Sequence, residues 1–318
     1  MIRKILAVTC ISLALLIPQN VKAAETTNNF VVDEYKNWTI HFNREVAFDD
    51  LSKQGIVVTD SKGNKVDVQL ELGKDNKSII VEYPTWGYLL GEKYQLTVNN
   101  KVHDKNNKSI KQAAFVNFSV EPENKDAVIF KDKVFQDSVK NYLKKPNEEI
   151  LKSDVDKLTE FDAGGIDVED ISGIDEFVNL EDLNLSNTKV KDISSLKELT
   201  SLEELTLENT NISDITPLKN LYNLEVLDLS NTKVSDISAL KGLKNLEELY
   251  LVNSPIKDLS VLKELDNLEA LNLDNTQISD ISALKQLKNL KELIVNGLSD
   301  SEQKILENAL PNCRILGL

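Results

Sequence analysis

Carboxylates recur at a fixed interval along the second half of the chain. Asp170, Asp192, Asp214, Asp236, Asp258 and Asp280 are evenly spaced, and Glu181, Glu203, Glu225, Glu247 and Glu269 repeat at the same interval. Acids repeated in this way could ligate a divalent cation or work as general acid–base pairs. A calcium site needs roughly six to eight oxygens converging on one point. A column that supplies one acid per unit spreads its oxygens instead. The aspartates are therefore read as turn or cap acids that accept local N–H groups. Nor does a flat strand face desolvate a carboxylate enough to shift its pKa for catalysis. The two histidines, His41 and His103, lie outside the periodic region and read as surface residues, His41 because it alternates between Ile40 and Phe42. No G-x-S-x-G, H-E-x-x-H, P-loop or paired C-x-x-C spacing occurs. The chain is expected to be no enzyme and to hold neither cofactor nor metal.

The same interval governs the residues that must hold those acids in place. Leu158, Leu180, Leu202, Leu224, Leu246, Leu268 and Leu290 share it without exception. They head an L-x-x-L-x-L core, and their period falls within the roughly 20–29 residues of a leucine-rich repeat solenoid. One such unit cannot bury its own apolar face, but a stack can. The clearest unit runs from Leu224 to Leu243; the first, from Leu158, is degenerate, with Phe161 and Ala163 for leucines and Gly164-Gly165 in place of Asn-Thr. Leu183, Leu205, Leu227, Leu249, Leu271 and Leu293 point inward from short strands, as do Leu185, Leu207, Leu229, Leu251, Leu273 and Val295. After each strand an Asn precedes Thr188, Thr210, Thr232, Ser254 or Thr276, whose hydroxyl can bond the backbone where the chain leaves the sheet.

Strand residues that alternate with the inward leucines face the other way. Ser230 is among them, and the candidate partner-binding residues of this face are Glu204, Glu208, Val226, Asp228, Glu248, Tyr250, Val252, Asn272, Asp274 and Ile294. Tyr250 is the expected anchor, with Val226 and Val252 around it, since tyrosine is enriched in binding hot spots. The glutamate column stacks beside this face, while Lys197, Lys219, Lys241, Lys263 and Lys285 recur on the convex side. An acidic recognition face and a solvated face kept for solubility are both consistent with these columns.

Before the repeats, residues 31–122 alternate as in an all-β sandwich, with strands at Trp38–Phe42, Ile56–Val58, Val66–Leu70, Ile79–Val81, Tyr94–Val98 and Phe115–Val120. A helical cap is expected over 123–157, with a stripe from Val128 to Leu143 ended by Pro146 and a second helix starting at a Ser153/Asp156 capping box. Repeats fill 158–296. A C-terminal cap follows at 297–318, where Ser299 with Glu302 opens a helix whose apolar face is Ile305, Leu306, Ala309 and Leu310. The fold class is thus a mixed α/β solenoid with short parallel strands, joined to a β-sandwich.

Arg3 and Lys4, an apolar run from Ile5 to Ile17, and Val21-Lys22-Ala23 read as an export signal over 1–23, followed by a polar linker at 24–30. The chain has 318 residues and a formal charge of −15. Removal of the leader takes Arg3, Lys4 and Lys22 and leaves −18. Such a charge opposes nucleic acid and anionic membranes and favours a basic or neutral protein partner. No membrane insertion is expected, and the protein reads as a monomer. Cys313, the lone cysteine after the leader, can form no internal disulfide; it reads as a small apolar residue of the C-terminal cap, the other use of such a thiol being reaction or dimerisation.

The recurrent L-x-x-L-x-L-x-N-T-x-V/I-x-D-I/L-S-x-L-x-x-L unit, with a helical lid before it, resembles the internalin family of secreted surface proteins of Gram-positive bacteria over residues 125–318. Trp38-Thr39-Ile40-His41-Phe42-Asn43, Val58-Thr59-Asp60, Asn64-Lys65-Val66, Lys77-Ser78-Ile79-Ile80-Val81 and Gly91-Glu92-Lys93-Tyr94 resemble the S-layer-associated bacterial Ig-like domains. The resemblance implies a secreted or cell-wall-associated adhesion protein that recognises a host or cell-surface protein. A structural envelope role held by the Ig-like domain, or capture of a host carrier protein, would use the same parts. The domain order departs from the family, and no L-P-x-T-G motif occurs, so covalent anchoring is not implied.

Overall fold

The computed structural model describes residues 13–15, 29–111, 113–122 and 124–317. Apart from Leu13–Leu15, the export segment lies outside the described residues. The chain divides into two compact units, one of residues 1–125 with 146–149 and one of 126–145 with 150–318.

The first unit carries β1 (Leu13–Leu15), β2 (Asn29–Val32), β3 (Trp38–Phe42), helix α1 (Asp50–Lys53), β4 (Ile56–Asp60), β5 (Lys65–Val66), β6 (Leu70–Leu72), β7 (Ser78–Val81), β8 (Lys93–Val98) and β9 (Ala114–Val120). They form a four-stranded sheet in the order β1-β3-β7-β6 and a five-stranded sheet in the order β2-β9-β8-β4-β5. Alternation sets the inner faces: Trp38, Ile40 and Phe42 are buried from one sheet, and Leu96, Val98, Val116 and Phe118 from the other. The rings of Trp38 and Phe118 meet at 4.9 Å between centroids, so the two inner faces share one core. Two details differ from the sequence reading. β2 begins at Asn29, inside the stretch read as a linker, and the single strand expected at Val66–Leu70 is two short strands, β5 and β6.

The second unit is built on eight parallel strands in chain order: β10 (Glu160–Asp162), β11 (Asp182–Asn184), β12 (Glu204–Thr206), β13 (Val226–Asp228), β14 (Glu248–Tyr250), β15 (Ala270–Asn272), β16 (Glu292–Ile294) and β17 (Arg314–Leu316). The register advances by one whole repeat at every step, with Leu183 opposite Leu205, Leu205 opposite Leu227 and Leu227 opposite Leu249. Both inward leucine columns are buried throughout. Short 3₁₀ turns such as Ser194–Glu198 and Thr216–Asn220 close the far side of each coil and carry the lysine column. Helix α2 (Lys133–Tyr142) and the short α3 (Lys152–Val155) precede the first coil, and α4 (Asp300–Ala309) follows β16.

Polar columns hold the coils as regularly as the leucines do. Asn187, Asn209, Asn231, Asn253 and Asn275 all take the left-handed conformation, with φ of 55–57°. A reversal at the strand exit demands this, and Asn tolerates it better than most residues. At both ends of the array the same position is glycine, Gly165 and Gly297, again with positive φ. Gly165 alone therefore stands in the Asn column; Gly164 aligns with Ser186 and Ile166 with Thr188, one step from the alignment read in sequence. The following hydroxyls behave as expected: Thr188, Thr210, Thr232 and Thr276 each donate to the carbonyl three residues back. The aspartate column accepts turn N–H groups, as in Asp192 to Ser194, Asp214 to Thr216 and Asp236 to Ser238. A further ladder is absent from the sequence reading. Asn179, Asn223, Asn245, Asn267 and Asn289 each donate to a backbone carbonyl of the preceding coil. Its signal is the Asn that stands before the leading leucine in most units.

The helices correct the sequence reading in three places. Val128 and Phe130 precede α2 rather than extending it, because Asp132 caps the helix at Val134 and Phe135. α3 starts at Lys152 on the backbone of Leu151, whose N–H bonds Asp154, so Ser153 and Asp156 are not its capping pair. α4 does open on the Ser299–Glu302 box. Leu306 and Leu310 are buried as expected, but Ile305 is 47% exposed and belongs to the outer face.

Leu227 is fully buried in the middle of the stack. Leu227→Ala is expected to lower unfolding free energy by about 2–5 kcal/mol in a denaturant titration. At the strand exit, Asn231→Val should cost roughly 1–2 kcal/mol because a β-branched residue resists positive φ, while Asn231→Gly should recover most of that loss.

Candidate binding face

The outward positions of β10–β17 form three registered columns. The first reads Glu160, Asp182, Glu204, Val226, Glu248, Ala270, Glu292 and Arg314; the second reads Asp162, Asn184, Thr206, Asp228, Tyr250, Asn272, Ile294 and Leu316. Beyond the strands, Glu208, Ser230, Val252 and Asp274 share a third, matching position. The face is divided along its length. Acids crowd the first coils, and the apolar residues Tyr250, Val252, Ile294 and Leu316 gather in the last ones.

Burial refines the sequence reading. Glu204 is exposed, while Glu208, Val226, Asp228, Glu248, Tyr250, Val252, Asn272, Asp274 and Ile294 are half-buried rather than open. Neighbouring strands stand only about 4.8 Å apart, so each outward side chain is flanked by those of the adjoining coils. Ser230, read as facing the concave side, is buried. Leu316 joins the candidate face. The signal exists in the sequence, since Ile315 follows Leu293 by one whole repeat, but it falls in the segment read as the C-terminal cap.

The Tyr250 hydroxyl donates to Glu248 Oε2 at 2.5 Å. That bond, helped by burial and by Asp228 and Glu292, pushes the phenol up to about 12. The ring is thereby held by its own strand neighbour. At the other end, partial burial and the carboxylates of Glu160 and Asp162 raise the Asp182 pKa. The glutamate column ends in a lysine: Lys291 pairs with Glu269 at 2.5 Å, and Arg314 lies 3.4 Å from Glu292. Net negative potential therefore concentrates on the first coils.

Other candidates resolve into structural roles. His103 is buried, against expectation. Its Nδ1 lies 2.9 Å from Ser52 Oγ and its Nε2 3.1 Å from Asp49. The chain Ser52–His103–Asp49 has the partners of a hydrolytic triad, but Ser52 is fully buried and its oxygen accepts the His103 backbone N–H. It ties α1 to the loop after β8. Cys313 is half-buried, and burial raises its thiol to about 11, which leaves little thiolate for reaction. Among the described residues no group of three or more His, Cys, Asp or Glu is arranged to hold a metal, and no helix is long and apolar enough to cross a membrane.

Asp182 should report the charge crowding. A carboxylate raised in the folded state is destabilising once ionised, so Asp182→Asn is expected to be more stable than the parent at neutral pH, by under about 1 kcal/mol. The difference should vanish as pH falls below the ordinary carboxylate range, and paired thermal melts across that range check it.

Residues 178–220 and 222–264 match the family described as Leucine Rich repeats (2 copies). No curated protein matches the sequence. Among solved structures, internalin C2 from Listeria monocytogenes is similar at 30% identity and a TM-score of 0.55, over 59% of this chain and 84% of that one. An internalin from the same organism, internalin F, is similar at 28% identity and a TM-score of 0.54, over 58% of this chain. The chain spans 55% of the length of that second protein.

Proposed function

Because the chain belongs to the internalin-like leucine-rich repeat proteins, we propose that it is an extracellular binding module that recognises a protein on a host or neighbouring cell surface. The partner seats on the outward face of β10–β17. The observation that carries this reading is the division of that face into acidic first coils and an apolar patch around Tyr250, Val252, Ile294 and Leu316. The two ends do different physical work. Acids draw in a basic surface from a distance and set the association rate. A ring that is half-buried and fixed by Glu248 loses little side-chain entropy on docking, so the apolar end sets the residence time.

In this reading the module acts as a monomer in adhesion. It is exported by the leader at 1–23, and the sandwich at 31–122 is an Ig-like domain between the leader and the repeats. A standard interface buries about 800 Å² on each partner, which several registered strands supply together.

The test starts with capture of host-cell surface proteins on the immobilised full chain, followed by kinetics with the captured partner. Glu225→Lys/Glu247→Lys is expected to slow association about tenfold and to flatten its salt dependence. Tyr250→Ala should speed dissociation about tenfold or more, equivalent to roughly 1.4 kcal/mol, with association nearly unchanged. Wild-type rates in both variants would rule the face out.

A further inference from the structure

A pocket of about 230 Å³ opens where three segments of the first unit meet: Asn37 ahead of β3, Asp67 and Gln69 between β5 and β6, and Glu82 to Thr85 after β7. Two hydrogen bonds fix this junction. The Glu82 N–H donates to the Gln69 carbonyl at 2.9 Å, and the Tyr83 N–H donates to Asn37 Oδ1 at 2.9 Å. The Tyr83 ring stands edge-on to Tyr35, with centroids 5.3 Å apart. Pro84, which follows it, is buried.

The lining sorts by chemistry. Asp67 and Glu82 offer carboxylates; among the described residues no lysine or arginine lines the pocket, and neither carboxylate has a hydrogen-bond or ion-pair partner. Asn37 spends its side-chain oxygen on the Tyr83 N–H, which leaves its NH₂ group as a donor. Gln69 and Thr85 are exposed and add an amide and a hydroxyl. Tyr83 is half-buried and, with Pro84, supplies the apolar wall. The volume lies below the roughly 300–1,000 Å³ of drug-sized ligand sites, so the pocket admits one small unit rather than an extended molecule.

We infer that this pocket seats one residue of an amino sugar with a free amine, its ammonium paired with Asp67 and Glu82, its hydroxyls on Asn37, Gln69 and Thr85, and its C–H face against the Tyr83 ring. Two carboxylates with no cation of their own select a positive ligand, and charge-assisted hydrogen bonds to an ammonium are the strong ones. A bare metal ion fits poorly. Calcium needs roughly six to eight converging oxygens, and the Asn37 NH₂ group is a donor that a cation opposes. A lysine side chain of a peptide meets the carboxylates but brings no hydroxyl to Asn37, Gln69 and Thr85. An N-acetylated sugar brings hydroxyls but no charge. The site draws on nothing from the repeat face.

The test uses the full chain and calorimetric titration with glucosamine oligosaccharides, beside the same oligosaccharides fully N-acetylated and a tetralysine peptide. The glucosamine oligosaccharide is expected to bind, and its N-acetylated form to bind at least tenfold more weakly. Asp67→Asn and Glu82→Gln should each weaken the glucosamine oligosaccharide at least tenfold with unchanged thermal melts. Glu204→Gln, an exposed acid of the repeat face, should leave that binding unaltered, and Asp67→Asn should leave tetralysine binding to the acidic chain unaltered. Absence of glucosamine binding, equal binding of the N-acetylated form, equal weakening by Glu204→Gln, or a tetralysine affinity that falls as far as the oligosaccharide's in Asp67→Asn would overturn the inference. If Glu82→Gln melts early, Gln69→Ala, another lining residue, replaces it and must also weaken binding.

Discussion

A coil of the repeat unit has nothing of its own to bury its leucines against. Leu183, Leu205, Leu227, Leu249 and Leu271 are dry because each lies opposite its counterparts in the coils on either side. Burial between neighbours is the constraint from which the rest follows. It fixes the register at one whole repeat per coil, since a slip by a single position would turn every leucine to water. It also forces one reversal per coil at the same place, which the left-handed Asn column supplies and which glycine supplies at the two ends.

Register makes the outward face of the strands as ordered as the core. Like residues stack on like residues at strand spacing, so the sheet that buries leucine also brings acids together. The fold manages this cost in part. Asp182 holds its proton more tightly beside Glu160 and Asp162, and the last coils relieve the crowding with Lys291 and Arg314. The remaining charge lies at one end, beside an apolar patch that would be weak alone. In the proposed reading, attraction at a distance and residence on contact fall to different coils of one sheet.

The two units present contrasting chemistry. The repeat face is acid-rich, and the outer face of the five-stranded sheet is free of outward carboxylates and carries ordered amides. Ser52 and His103, which with the exposed Asp49 have the partners of a hydrolytic triad, are buried and spend their hydrogen bonds on holding α1.

Periodicity carried most of this in the sequence. The leucine columns, the hydroxyl and aspartate turns, the alternation of β3, β8 and β9 and the outward set from Glu204 to Ile294 all depend on spacing along the chain. Local hydrogen bonds and side-chain direction follow spacing, so they were legible. What depended on distant neighbours was not. The burial of Ser230 and His103 was decided by coils or loops packed alongside. So was the pairing of Gln95 with Asn117 across β8 and β9. The sequence determined which residues face together. Only the folded chain decided how closely they stand, because burial and charge coupling depend on distance through space.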